Sequence, residues 1–178
     1  MTVGSVPKRV PLEPARDHAA AAGSPRYPSQ VTGPQPEFVD RVRQSFGRQR
    51  LMATLGAALE RVAPGEVDIR LPFRDELTQQ HGFLHAGAVT SIVDSACGYA
   101  ALTLMPPGAA VLTVEFKVNL LAPAKGETFV ARARVLRAGR TLTVCQGDVF
   151  AIHDGEEKLV AVMTATLMAV RDRPELAD

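Results

Sequence analysis

The stretch Ala86–Met105, AGAVTSIVDSACGYAALTLM, constrains this chain more than any other. Read as a helix it is apolar on nearly all sides, with Asp94 as its single ionisable carboxylate. A helix without a polar face must be buried all round or lie in lipid. Its length is close to the ~20 residues of a membrane span. However, it carries Asp94, two serines, two threonines and two glycines, and it has no basic flanks, which argues against a span. The rest of the chain must therefore wrap it.

The segment after it has the pattern of a wrapper. In Val111–Leu121, Leu112, Val114, Phe116, Val118 and Leu120 alternate with Thr113, Glu115, Lys117 and Asn119. That period of two predicts a strand with one buried face, ended by Pro123 and Gly126. Glu127–Leu136 sets Phe129, Ala131, Ala133 and Val135 against Arg132 and Arg134. Ala138-Gly139 turns into Leu142–Ile152, and Asp154-Gly155 turns into Lys158–Val170. Turns this short predict antiparallel neighbours.

Upstream, Phe38, Val42, Phe46, Leu51 and Leu55 recur at helical spacing through Glu37–Leu55, although Gly47 weakens the middle. Ala57–Val62 and Val67–Phe73 read as strands joined by the turn Ala63-Pro64-Gly65-Glu66, and Arg74–Leu84 as a loop. The expectation is an α+β domain: helix, two strands, the long helix, then four antiparallel strands whose curve holds that helix. A single sheet covers only part of such a helix. The remaining apolar surface predicts a second layer, most simply an identical chain, hence a homodimer or homotetramer.

Residues 1–36 hold seven of the 13 prolines (positions 7, 11, 14, 25, 28, 34 and 36), one aromatic, Tyr27, and an alanine run, Ala19–Ala22. Such a segment buries too little apolar surface to offset chain entropy and reads as a disordered leader. The domain is expected over 37–170, with a polar tail over 171–178. A net charge of +1 argues against a nucleic-acid partner. Cys97 and Cys145 fit no zinc or haem spacing and make no disulfide framework, consistent with a reducing compartment. Pro7, Lys8, Arg9, Pro11 and Pro14 interrupt any secretory apolar core, so a soluble, cytoplasmic protein is expected, with no membrane association.

Two features carry chemistry. A lone carboxylate in an apolar helix costs several kcal/mol unless it is hydrogen-bonded or reaches a cavity. Asp94 is therefore either a general base or nucleophile, or a carboxylate satisfied by nearby hydroxyls and amides. The second feature is the helix start, His81-Gly82-Phe83-Leu84-His85-Ala86-Gly87. Unpaired N–H groups and the positive end of the helix dipole collect there, beside small residues that let a ligand oxygen approach. His81, Gly82 and Gly87 are the candidate substrate contacts in this loop. Ala86 and Asp94 are eight residues apart, about 12 Å on a straight helix. One carbonyl group cannot meet both, so if both are catalytic they come from different chains.

Other patterns lead less far. His81 and His85 have i, i+4 spacing, but Gly82 and the loop composition favour ordinary polar contacts over zinc, and no metal is expected. No Gly-x-Ser-x-Gly elbow occurs, which argues against a serine hydrolase of that type; no phosphate-cradling glycine loop appears, and no cofactor is expected. Cys97 reads as a buried, inert thiol. Arg132, Arg134, Arg137 and Arg140 cluster near one turn, either as a solvated strand face or as an anchor for an anionic ligand; Arg137 and Arg140 are the candidates for the latter.

The run Gln79-Gln80-His81-Gly82-Phe83-Leu84-His85-Ala86-Gly87-Ala88, with Asp94 nine residues after His85, resembles the motif of hotdog-fold acyl-CoA thioesterases, specifically the PaaI-like (phenylacetate-degradation) group. Thr113–Ala124 resembles that family's strand ending in Pro-Ala, and Val135–Thr141 its next turn. The likeness spans about Glu37 to Val170. It implies a hotdog fold, a curved antiparallel sheet around a central helix, dimerised with its sites at the interface. It also implies roles: Asp94 as the carboxylate that activates water or attacks the thioester, and His85 as the motif histidine. Ala86 would stand for a glycine whose N–H polarises the thioester oxygen, Gln79 for an asparagine near the thioester, and Thr113 for a Ser/Thr that assists the water. Alanine at 86 keeps the N–H but adds a methyl, and glutamine at 79 lengthens the arm. The implied reaction is hydrolysis of an acyl-CoA. The alternatives are a non-catalytic acyl-CoA-binding domain and an acyl-thioester dehydratase or hydratase.

Overall fold

The structure, a computed structural model, describes residues 37–171 together with Arg173 and Leu176. The expected leader, residues 1–36, and most of the expected tail lie outside the described residues. The elements run α1 (Glu37–Arg48), α2 (Arg50–Leu55), β1 (Ala58–Ala63), β2 (Glu66–Pro72), α3 (Ala86–Leu102), β3 (Ala110–Leu120), β4 (Thr128–Ala138), β5 (Leu142–His153) and β6 (Glu156–Val170), with a short 3-10 turn at Asp75–Leu77. The order of helices and strands is the one expected. The first helical segment is two helices rather than one. The break falls at Gln49, whose backbone is extended, two residues after the glycine that weakens the pattern.

All six strands form one antiparallel sheet in the order β1-β2-β4-β5-β6-β3. Its curve holds α3, which packs on every strand from β2 to β6. The helix buries Val89, Ile92, Val93, Ala96, Cys97, Ala100, Ala101 and Leu102 against Ile69, Leu71, Phe129, Met163 and Leu167 of the sheet. Burying each large side chain of this kind contributes about 1.5–3 kcal/mol. The helix ends at Leu102, three residues short of the apolar run, and the Arg41 guanidinium donates to the carbonyl of Leu102 and to those of Met105 and Pro106 just beyond it.

Gly147 in β5 sets how closely helix and sheet approach. A Cβ there would overlap Val93 Cγ2 and come within 3.0 Å of Cys97 Sγ, so only glycine lets α3 sit at this depth.

β3 departs from its expected alternation. Phe116, Val118 and Leu120 pair with Ala165, Met163 and Ala161 on the helix side of the sheet. The register then shifts between Thr113 and Glu115, and Thr113 pairs with the buried Leu167. The extra residue, Val114, is a β-bulge; it moves Thr113 onto the face of Phe116 rather than that of Glu115. β3 is also an edge strand with much apolar surface: Leu112, Val114, Phe116 and Leu120 are each 43–56% exposed.

The arginine cluster also divides. Arg132 and Arg134 lie on the sheet face away from α3. Arg132 pairs with Glu157 through two hydrogen bonds and stacks 4.7 Å from the Phe150 ring, while Arg134 donates to Gln146 (2.9 Å). Neither belongs to a group at the turn; Arg137 and Arg140 remain near it, exposed.

Candidate active site

The approach to α3 is a tight turn. The Gln79 N–H bonds the Phe83 carbonyl (2.9 Å), the Gly82 N–H bonds the Gln79 carbonyl (3.0 Å), and Gly82 has φ +77°, where a side chain would be strained. The loop is tied down by Leu84 N–H to the Ala124 carbonyl and His85 N–H to the Leu77 carbonyl. This delivers His85, in extended backbone, to the N-cap of α3.

A helix start leaves its first N–H groups unsatisfied, and His85 takes up most of them here. Its Nδ1 accepts from the Gly87 N–H at 2.8 Å, and its carbonyl accepts from the N–H groups of Ala88 and Val89. Because Nδ1 accepts, a neutral ring carries its proton on Nε2. A Cβ on Gly87 would come 3.0 Å from that Nδ1, so the glycine leaves room for the cap. The Ala86 N–H alone in this turn has no partner among the described residues. Ala86 lines a cavity of about 500 Å³ whose other walls include Phe83, Val89, Leu120 and Pro123. Gln79 also lines it. Its amide oxygen turns back to the His81 N–H, so the NH2 end is what remains for a ligand.

Two turns further along α3, Asp94 opens onto a different cavity of about 280 Å³, lined by Ser45, Arg48, Gln49, Ser95, Tyr99 and Thr113 among others. The Thr113 hydroxyl donates to Asp94 Oδ1 at 2.8 Å, a bond made possible by the bulge in β3. The other carboxylate oxygen has no protein partner among the described residues. Burial raises the Asp94 carboxyl above its ordinary value, and the Thr113 hydrogen bond pulls the opposite way. A half-buried carboxylate with one oxygen held and the other facing a cavity can take a proton from water or attack a carbonyl.

The structure places Asp94 and Thr113 in one cavity, and Ala86 and Gln79 in the other, with His85 capping between loop and helix. It does not bring His81, Gly82 or Gly87 into the lining of either cavity. His81 is exposed beside Gln80, and the two glycines serve the turn and the cap. Arg137 and Arg140 line neither cavity. Ser45, Arg48, Gln49, Ser95 and Tyr99 are lining residues that the sequence pattern does not single out. The only signal for them is the weakened helical pattern around Gly47. Burial raises both thiols, Cys145 to about 12 and Cys97 further, so neither is a nucleophile. Among the described residues the one grouping with metal-ligand geometry is Glu127, just before β4, with His153 and Asp154 at the β5–β6 turn, all exposed and outside both cavities. No helix among the described residues is long and apolar enough to cross a membrane.

Residues 81–158 match the family described as the thioesterase superfamily. Human acyl-coenzyme A thioesterase 13 is 34% identical over 114 residues, covering 64% of this chain and 79% of the human protein. A crystal structure of a thioesterase family protein from Silicibacter pomeroyi is 57% identical, with TM-score 0.74 over 75% of this chain and 98% of that one. The E. coli PaaI structure, 18% identical, shares the fold at TM-score 0.68 over 75% of this chain and 93% of its own.

Proposed function

Because this chain belongs to the thioesterase superfamily, we propose that it hydrolyses an acyl-CoA to the free acid and CoA at a site shared by two copies of the chain. The observation that carries this reading is the pairing of Asp94 with Thr113 at one cavity while the unpartnered Ala86 N–H faces another on the same helix. The thioester oxygen would accept from the Ala86 N–H, at the positive end of α3, where negative charge develops as the carbonyl is attacked. Asp94 drives that attack. As a base it takes a proton from water while the water oxygen bonds the carbonyl carbon, with Thr113 holding the carboxylate in place. The tetrahedral intermediate then collapses, the C–S bond breaks, and the departing thiolate takes the proton that Asp94 removed from water, which restores the carboxylate.

On a straight helix Ala86 and Asp94 stand about 12 Å apart, too far for one thioester. The site is therefore completed by pairing Ala86 of one protomer with Asp94 of its partner, in a homodimer or homotetramer. The surface suited to this is β3, an 11-residue strand at the edge of the sheet, paired with β6 on one side and carrying exposed Leu112, Val114, Phe116 and Leu120. An apolar edge of that length is a template for another strand unless covered. In this reading His85 preserves the Ala86 N–H by occupying its neighbours. Gln79 meets the thioester or water through its NH2, and His81, Gly82 and Gly87 shape the entrance. Arg137 and Arg140 take the phosphates of CoA. The residue 37–170 unit is the catalytic domain, and the enzyme works in the cytoplasm.

Free-thiol release from short, long and aromatic acyl-CoAs, for wild type beside Asp94→Asn, tests the reading. Release by wild type alone supports it. No release from any of them, by a folded oligomer, shifts the assignment to an acyl-CoA-binding domain. A 2-enoyl product from a 3-hydroxyacyl thioester shifts it to a dehydratase.

A further inference from the structure

Resting on the thioesterase reading, we propose that the corner between α1 and α2 selects the acyl group, favouring chains that carry a hydroxyl or keto oxygen over plain alkyl chains. The cavity beside Asp94 is walled by polar groups from three places: Ser45 on α1, Arg48 and Gln49 at the corner, and Ser95 and Tyr99 on α3. Gln49 is in reach because the helical run breaks there, with its backbone extended. The Ser95 hydroxyl donates to Gln49 Oε1 at 3.1 Å, which ties the carbonyl end of that amide to α3, one residue from Asp94. The NH2 end is left as a pair of donors with no partner among the described residues.

A plain alkyl chain laid on this wall would strip water from the Gln49 NH2 and return no hydrogen bond. An oxygen on the chain accepts from the Gln49 N–H instead. One neutral hydrogen bond supports a preference of about threefold to tenfold. The cavity's roughly 280 Å³ is enough for a short acyl group, and its polar lining contrasts with the larger, mainly apolar space at Ala86.

The test is kcat/KM for hexanoyl-CoA, 3-hydroxyhexanoyl-CoA, 5-oxohexanoyl-CoA and 6-hydroxyhexanoyl-CoA, in wild type, Gln49→Leu and Gln49→Glu, each checked for folding by circular dichroism. Wild type is expected to favour at least one oxygenated chain by about threefold to tenfold. Gln49→Leu removes the donors and brings that ratio to near one. Gln49→Glu keeps an oxygen for Ser95 but replaces the donors by an acceptor, so it collapses the ratio for the keto chain, which can only accept, whereas a hydroxyl can still donate to the new carboxylate. A wild-type ratio of one for every chain, or a preference that survives Gln49→Leu, overturns the proposal while leaving the thioesterase intact. Absence of thiol release from these and all other acyl-CoAs rejects the thioesterase reading itself, and the proposal with it.

Discussion

Around Ala86 the walls are Phe83, Val89, Leu120 and Pro123, and the reactive feature is a bare backbone N–H. Around Asp94, eight residues further along α3, they are serines, a glutamine, a tyrosine and an arginine, and the reactive feature is a carboxylate. One end of the helix offers a donor fixed by the backbone and by the helix dipole. The other offers an acid whose strength depends on burial and on a single hydroxyl. The difference teaches where each half tolerates change. On the proposed mechanism, position 86 acts through its N–H and tolerates a small side chain, whereas at Asp94 the side chain itself does the chemistry.

The largest effect is therefore expected from Asp94→Asn, with kcat reduced about 10²- to 10⁴-fold, the scale of a lost acid/base group. The same substitution should raise the melting temperature. Burial lifts the folded carboxyl above its ordinary value, so ionisation is disfavoured by folding. Stability is thus greatest below the unfolded pKa and declines as pH rises through the folded one. At neutral pH the amide is free of that cost. A mutant equal to wild type in turnover, or one that melts earlier at neutral pH, contradicts the role given to the Asp94 end.

Ala86→Pro probes the other end. Ala86 is the first helical residue, where proline is well tolerated, and His85 before it already has φ −62° and ψ 139°, as a residue preceding proline requires. The substitution deletes the N–H while keeping the helix, and should cost about 10²- to 10³-fold in kcat. Co-expressing this chain with the Asp94→Asn chain sharpens the comparison. If each site takes its N–H from one protomer and its carboxylate from the partner, randomly paired dimers recover about a quarter of wild-type activity. Recovery near zero places both groups in one protomer's site.

Much of this is legible in the amino-acid pattern. Asp94 stands out as the only charge in an apolar run, and the glycines at 139 and 155 mark turns that the sheet does make. The bulge at Val114 is not legible, because Leu112 to Leu120 alternates smoothly. The slip arises from pairing with β6, where Glu115 meets Thr166, 51 residues away in the chain. Smooth alternation puts Thr113 with Glu115, on the wrong face, and only the family resemblance points to it. The wall of Ser45, Arg48 and Gln49 is hidden for a similar reason: which residues of one helix face another is settled by tertiary packing. Gly147 likewise reads as an ordinary strand residue, and its purpose shows only where α3 lies against it.

Gly147 allows the next test, since it fixes the depth of the helix at the Asp94 end. Gly147→Ala would place a methyl into Val93 and Cys97, flanking Asp94. Overpacking of this kind costs about 1–3 kcal/mol. The expected result is a lower denaturant midpoint with an unchanged m value, together with reduced kcat. A midpoint matching wild type would show that α3 can lift from the sheet at little cost.

The smallest effect, and the finest test of the Asp94 end, is Thr113→Val, nearly isosteric but without the hydroxyl. Burial raises the Asp94 carboxyl and the Thr113 hydrogen bond opposes that rise, so removing the hydroxyl raises it further. A base works only when ionised. The acid limb of the kcat/KM profile should therefore move to higher pH, with a loss of about tenfold or less near neutrality, the scale of one hydrogen bond. Where the carboxylate is fully ionised, the two curves should meet if Thr113 acts through Asp94 alone. A plateau that stays below wild type at every pH shows instead that the hydroxyl also touches the attacking water. A limb that moves to lower pH contradicts the sign of the hydrogen bond and removes Thr113 from the site.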